Sequence, residues 1–284
     1  MATEASIHTA GSIAPRAMLS SAPRPAAAGR VAVGGILLDN VGLSGAIDRL
    51  REFVLSAQPH QVVTVNLDFV TIASRDPSFR TTLNGADLAV ADGMPLVWLS
   101  RLKGQPLVER VTGVELVAES CRMAAELGAS VFLLGAAPGV AEHAARRLVR
   151  MYPGLIIAGT YSPPFGPLGP RENERIVEMI RGAAPEFLFV ALGAPRQDQW
   201  IREFQPELRV PVAMGVGCVL DVLAGSVSRA PLWMQRAGLE WAFRMGQEPQ
   251  RLWRRYLLED LPMFVQLALR YSSGEASETP EVSL

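Results

Sequence analysis

The chain has 284 residues, 49% hydrophobic and 19% charged, with a formal net charge of −1 at pH 7. This composition excludes an intrinsically disordered chain, and the charge balance gives no global reason to expect nucleic-acid binding. The two cysteines, Cys121 and Cys218, and the three histidines, His8, His60 and His143, lie far apart. They suit reduced thiols better than a disulfide framework and form no metal or nucleophile cluster.

Residues 1–30 are rich in Ala, Ser and Pro, with Glu4 as their one acid and no compact apolar stretch. They predict a disordered extension, with a transit-like peptide as the second option. Residues 31–38 read as a strand or hairpin, and 43–56 as an amphipathic helix with Leu43, Ile47, Leu50 and Val54 along one side. Residues 62–65 and 88–91 are apolar runs with no polar face, as expected of strands buried on both sides. Between them 68–75 reads as helical, and Asp76-Pro77 starts another helical turn. Helices follow at 95–102 and 114–127, the second with Thr112 as a cap.

A strand at 130–134 runs into the turn 135–139, followed by a helix at 140–151 and a strand at 155–158. Four prolines and two glycines make 161–170 a loop. A helix at 171–181 and strands at 187–191 and 212–216 complete the pattern, and a polar, acidic tail begins at 272. No apolar run reaches the roughly 18 residues needed to span a bilayer; residues 210–223 come nearest and are interrupted by glycines and Asp221. The alternation predicts an α/β fold, a mostly parallel sheet covered by helices.

Polar residues gather where the predicted strands end, which is where open α/β sheets place their ligands. Asp92, between a buried run and a glycine turn, is poorly explained by packing. Its bland alternative is a cap on the helix that begins near Met94-Pro95. Glycine pairs at Gly135–Gly139 and Gly215–Gly217 follow strands and could bring backbone amides to a phosphate, but both are weak signals and an ordinary turn is the favoured reading of each.

Thr64-x-Asn66, Ala91-Asp92-Gly93, Glu109-Arg110-x-x-Gly113, Gly193-Ala-Pro195-x-Gln197-Asp-x-x-Trp200 and Arg229-Ala-Pro231 occur in one order. Glu240-Trp241-x-x-Arg244, Glu248-Pro249-x-Arg251 and Arg254-Arg255-Tyr256 complete the series. In these motifs, from about residue 31 to 256, the chain resembles the WecG/TagA/CpsF family. The resemblance implies a Rossmann-like α/β core over 31–228 and a C-terminal helical appendage over 229–271. It also implies an inverting glycosyltransferase that passes a sugar, of the N-acetylmannosamine type or glucose, from a UDP-sugar to a polyprenyl-diphosphate-linked saccharide in cell-surface polysaccharide synthesis. Asp92 matches the family's proposed base; Thr64 and Asn66 match donor contacts, and Arg110 and Gln197 match substrate or leaving-group contacts.

The chemistry needs a base for the acceptor hydroxyl and donors or cations for the departing diphosphate. No Asp-x-Asp pair occurs in the chain, so no cofactor and no metal are expected, with arginine and backbone amides taking the ion's part. Glu109-Arg110 could equally be a surface ion pair.

Residues 229–255 carry six arginines against two acids, a formal +4, interleaved with Trp233, Trp241, Phe243 and Trp253. Arg229, Arg244, Arg251, Arg254 and Arg255 are the candidates for the acceptor's diphosphate and for anionic lipid heads. The alternative is a helical pair docked on the core with solvated arginines. The expected location is cytoplasmic, peripheral on the inner face of the plasma membrane, and the resemblance is compatible with a homo-oligomer.

Two departures from the family pattern, Met94-Pro95 and Cys218-Val219, leave the sugar open. The rival readings are a nucleotide-binding oxidoreductase, whose Gly-x-Gly-x-x-Gly is missing after the first strand, and a non-catalytic membrane-associated partner in polysaccharide assembly.

Overall fold

A computed structural model describes residues 29–274. The extension expected over 1–30 and the tail from 272 fall almost wholly outside these residues. Arg30 is already part of strand β1 (Arg30–Val33), which pairs antiparallel with β2 (Ile36–Asp39). The two-residue turn uses Gly34 and Gly35 at φ 58° and 79°, the positive values that a tight hairpin turn requires. The expected strand or hairpin at 31–38 is therefore a hairpin.

The remaining strands form one parallel sheet. They are β3 (His60–Val65), β4 (Leu88–Ala91), β5 (Ser130–Gly135), β6 (Ile156–Tyr161), β7 (Phe187–Ala191) and β8 (Val212–Gly215), in the order β4-β3-β8-β7-β5-β6. Each neighbouring pair is parallel. Both faces are covered, which is why the strands read as continuous apolar runs. Side chains alternate between faces: Val62 packs with Val90 and Met214 into one core, while Val63 and Val65 enter another with Ala89 and Ala91.

The first face is closed by α1 (Leu43–Ser56), α5 (Gly113–Leu127), α6 (Val140–Met151) and α9 (Val219–Ala224). The second is closed by α2 (Leu67–Arg75), α3 (Pro77–Asn84), α4 (Met94–Leu102), α7 (Pro170–Ala183) and α8 (Arg196–Leu208). α8 is absent from the expected helices although Trp200, Ile201, Phe204 and Leu208 recur at helical spacing; Pro206 lies in its last turn. The outer edge of β4 is blunted by the hairpin: the buried Asp39 carboxylate accepts from the Ala89 N–H at 2.8 Å and pairs with Arg30.

The C-terminal segment is helical. It comprises α10 (Leu232–Arg236), α11 (Glu240–Gln247), α12 (Pro249–Trp253), a π-helical stretch Arg254–Asp260, and α13 (Leu261–Ser272). Its far end is anchored on the core. Leu267 and Tyr271 of α13 are buried, and the Tyr271 hydroxyl accepts from the Gly34 N–H at 2.8 Å. Among the described residues no helix is long and apolar enough to cross a membrane.

Candidate functional site

A cleft of about 540 Å³ opens at the C-terminal ends of β4, β3, β8 and β7. The strand order leaves it there: the chain winds outward from β3 to β4, then crosses to build the other side of the sheet. This is the reversal at which α/β proteins bind ligands. Thr64, Asn66, Asp92, Arg110 and Gln197 all line it. The C-terminal segment forms the opposite wall and adds Arg244, Arg251 and Arg255. Arg229 and Arg254 do not line it.

Backbone pairing continues beyond the strand ends and assembles the polar groups. The Asp92 N–H donates to Val65 O at 2.6 Å, and the Val111 N–H donates to Ala91 O at 2.9 Å. The second bond brings Arg110 and Thr112 alongside Asp92. Asp92 Oδ2 then accepts from the backbone N–H of Gly113, the first residue of α5, at 3.1 Å. A Cβ at Gly113 would lie 3.4 Å from both Asp92 Oδ2 and Thr64 Oγ1 and 3.3 Å from Val219 Cγ2. A methyl there would fill the gap between these three side chains, with Val219 giving way slightly.

Asp92 keeps one edge open to the cleft, with protein around the rest. Its carboxyl is pushed up to about 6, chiefly by burial; the Gly113 N–H and Arg110 oppose the shift, while Glu240 and Glu115 add to it. It does not cap α4, whose N-cap is Gly93 at φ 149° with no side-chain bond. The capping alternative for Asp92 fails on this geometry.

Asn66, by contrast, does cap a helix. Its Oδ1 accepts from the Phe69 N–H of α2 at 3.1 Å, which directs the rest of the amide into the cleft. Gln197, almost fully buried at the start of α8, accepts the Gly217 N–H on its Oε1 at 3.0 Å. It thereby ties the β7 and β8 strand ends together. The Gly135–Gly139 turn stays outside the cleft lining. A Cβ at Gly135 would run into the Ala191 carbonyl, so this glycine serves strand packing.

Glu109-Arg110 is not an ion pair. Glu109 accepts the Leu43 N–H at the start of α1. Arg110 instead reaches Glu240 of the C-terminal segment at 3.0 Å and Glu115 at 3.8 Å. Of the C-terminal arginines, Arg229 pairs with Glu115 and Glu240, Arg251 with Glu248, and Arg254 lies over the Trp253 ring. Arg255 Nε lies 3.2 Å from Asp68 Oδ1 and 3.6 Å from Asp260 Oδ2, in an ion pair without aligned hydrogen bonds. Among the described residues, Arg244 has no carboxylate within 4.0 Å and engages the Cys218 thiol, which burial pushes up.

Several polar groups in or beneath the cleft escaped the sequence reading. Asp198, fully buried beside Gln197, is pushed up to about 7 by burial. The Gln197 amide tempers that effect, although neither Asp198 oxygen makes a hydrogen bond of full geometry. Its place next to Gln197 in the motif series was the available signal. Asp260 is pushed up to about 6 by burial and by Asp68, and accepts from Thr71 Oγ1 at 3.1 Å. Nothing local in the sequence joins residues so far apart. Both departures from the family pattern meet the C-terminal segment: Cys218 through Arg244, and Met94 through Gly238, whose Cβ would stand 2.9 Å from that of Met94. Among the described residues no three His, Cys, Asp or Glu side chains come together as a metal cluster.

Comparison with known proteins bears on this cleft. The chain is 33% identical over 215 residues to an N-acetylglucosaminyldiphosphoundecaprenol N-acetyl-beta-D-mannosaminyltransferase of Bacillus spizizenii, covering 76% of this chain and 80% of that one. It is 31% identical over 238 residues to the Staphylococcus aureus (strain MW2) protein of the same name, covering 83% and 91%. Residues 31–277 match the glycosyl transferase WecG/TagA/CpsF family. The sequence motifs, the strand-end cleft that gathers them and this match over most of the chain lead to one conclusion: the protein belongs to the WecG/TagA/CpsF family of glycosyltransferases.

Proposed function

We propose that the protein is an inverting, metal-independent transferase that moves an N-acetylmannosamine-type sugar from a UDP-sugar to a polyprenyl-diphosphate-linked saccharide. The observation that carries this reading is Asp92, a carboxylate at a strand end facing a cleft whose opposite wall bears arginines. The relatives' names support the sugar and an acceptor ending in N-acetylglucosaminyl-diphosphoundecaprenol; glucose is the alternative donor sugar.

In this reading Asp92 takes the proton of the acceptor hydroxyl as its oxygen attacks the anomeric carbon. The bond to UDP breaks on the opposite face, and UDP leaves as the anion. A carboxyl with its midpoint near 6 is ionised at neutral pH and is a stronger base than a free aspartate. Thr64 and Asn66 contact the donor, Gln197 holds substrate, and Arg110 and Arg244 offset charge on the diphosphate groups. Arg251 and Arg255 face the same space, whereas Arg229 and Arg254 are better placed to hold the C-terminal segment and to meet lipid heads.

The C-terminal segment exposes Leu232, Trp233, Leu258, Leu261, Val265 and Leu269 beside its arginines. Apolar side chains flanked by cations suit an anionic membrane surface, where such an acceptor resides. The deciding experiment measures UDP release from a panel of UDP-sugars with a short-chain polyprenyl-diphosphate N-acetylglucosamine, with EDTA present, for wild type and Asp92→Asn. Acceptor-dependent release that EDTA spares and Asp92→Asn abolishes is expected. Full activity in Asp92→Asn would remove the base assignment, and loss with EDTA would remove metal independence.

A further inference from the structure

Four charges form a closed ring at the rim of the cleft. Arg110 reaches Glu240 at 3.0 Å and Glu115 at 3.8 Å, and Arg229 reaches the same carboxylates at 3.2 and 3.1 Å. The signs alternate, so each carboxylate lies between two cations. Exposures of 14% for Arg110, 22% for Arg229, 24% for Glu240 and 33% for Glu115 place the ring partly out of water, where salt screens it less than a surface pair.

The four members are not equivalent. Glu115 is already fixed by its capping box with Thr112 at the start of α5. Glu240 has no comparable backbone tie: Oε2 accepts from Arg110 Nη1 and Oε1 from Arg229 Nε, one oxygen for each guanidinium. Arg110 lies outside any helix or strand, so these carboxylates orient its guanidinium. Glu240 opens α11, and it therefore reaches Arg110 only when α11 sits on the core. The charged and titratable groups that act on Asp92 come from three packed elements: Arg110 from its loop, Glu115 from α5 and Glu240 from α11. Cys218, ahead of α9, is also within reach.

We propose that Glu240 is a positioning residue for the transfer reaction: its carboxylate, held at the rim between Arg110 and Arg229, sets the charge facing Asp92, and does so only when the C-terminal segment is docked. The inference deepens the reading above, because it rests on Asp92 as the base.

The test uses the full chain as wild type, Glu240→Gln and Glu240→Asp. Asp92 is titrated through its carbon-13 carboxyl signal, assigned with Asp92→Asn, while hydrogen exchange follows the α11 amides. Removing a facing negative charge is expected to move the Asp92 midpoint to lower pH in Glu240→Gln. Glu240→Asp is expected to restore it, with α11 protection kept throughout. An unchanged midpoint overturns the proposal, as does a shift accompanied by loss of α11 protection, which would reduce Glu240 to a structural staple.

In turnover, Glu240→Gln is expected to lower kcat about tenfold with donor KM held within about twofold, as for a misplaced catalytic environment. A rise in KM alone would also overturn the positioning role. The titration needs no substrate, so failure of the transferase reading and failure of this inference are separately visible.

Discussion

Asp92 and Gly113 are joined by one hydrogen bond, 3.1 Å from the Gly113 N–H to Asp92 Oδ2, at the first residue of α5. The helix N-terminus favours the ionised carboxylate, and burial disfavours it. Burial prevails, and the carboxyl sits at about 6. This opposition leaves the Asp92 carboxylate more basic than a free aspartate and a cost to the fold when ionised.

The catalytic consequence is an acid limb. If Asp92 must be ionised to take the proton, kcat/KM falls below about pH 6, tenfold per pH unit. A rate profile from pH 4.5 to 8.5 checks this. A flat profile through about pH 6 would contradict the assignment.

The stability consequence has the opposite sense. The folded value of about 6 lies above the ordinary 3.8, so the contribution is full below about pH 4 and is lost as pH rises through about 6. Asp92→Asn keeps an acceptor for Gly113 and removes the buried charge. It is expected to be more stable than wild type at pH 8, by on the order of 1–3 kcal/mol. The difference should vanish near pH 4. Thermal melts at the two pH values read it directly.

The β8 turn gives a steric prediction. A Cβ at Gly215 would strike Asp198 Oδ1 and come within 2.7 Å of Gln197 Nε2, both on the buried start of α8. At Gly217 the nearest atom is Gln197 Oε1 at 4.0 Å, and the cost is the positive φ of 53°. Gly215→Ala is expected to cost about 2–3 kcal/mol and to displace Gln197, against about 1 kcal/mol for Gly217→Ala. Denaturant midpoints that rank the two the other way would contradict this.

The C-terminal arginines should separate by partner. Arg244→Ala removes a cleft cation that, among the described residues, engages the Cys218 thiol and no carboxylate within 4.0 Å, so KM for the diphosphate substrate should rise about tenfold with little change in Tm. Arg229→Ala leaves Glu115 and Glu240 to share Arg110 and should lower stability by about 1 kcal/mol. Kinetics and melts on the same preparations distinguish the two effects.

The exposed leucines and valine of α13 predict a membrane contact. Leu261, Val265 and Leu269 recur every four residues and are 50%, 46% and 68% exposed, so they share one helix face turned outward. Replacing all three by serine is expected to weaken binding to anionic vesicles about tenfold or more without lowering Tm. Binding equal to wild type would place the membrane contact elsewhere.

The sequence by itself determined the layout of the core. Runs such as 62–65, 88–91 and 187–191 carry no polar face because their strands are covered on both sides, so composition alone marks them as buried. The same runs located Thr64, Asn66, Asp92 and Gln197 at or beyond strand ends, and all four meet in the cleft. The tertiary structure decided which polar groups pair. Glu109 and Arg110 are adjacent in the chain yet reach different partners, the Leu43 N–H and Glu240. Likewise Asp68, Arg255 and Asp260, and the Arg110–Glu240–Arg229–Glu115 ring, join residues through the docking of the C-terminal helices. Local periodicity shows that a helix has a buried face, but the charges beside that face find their partners only when it docks.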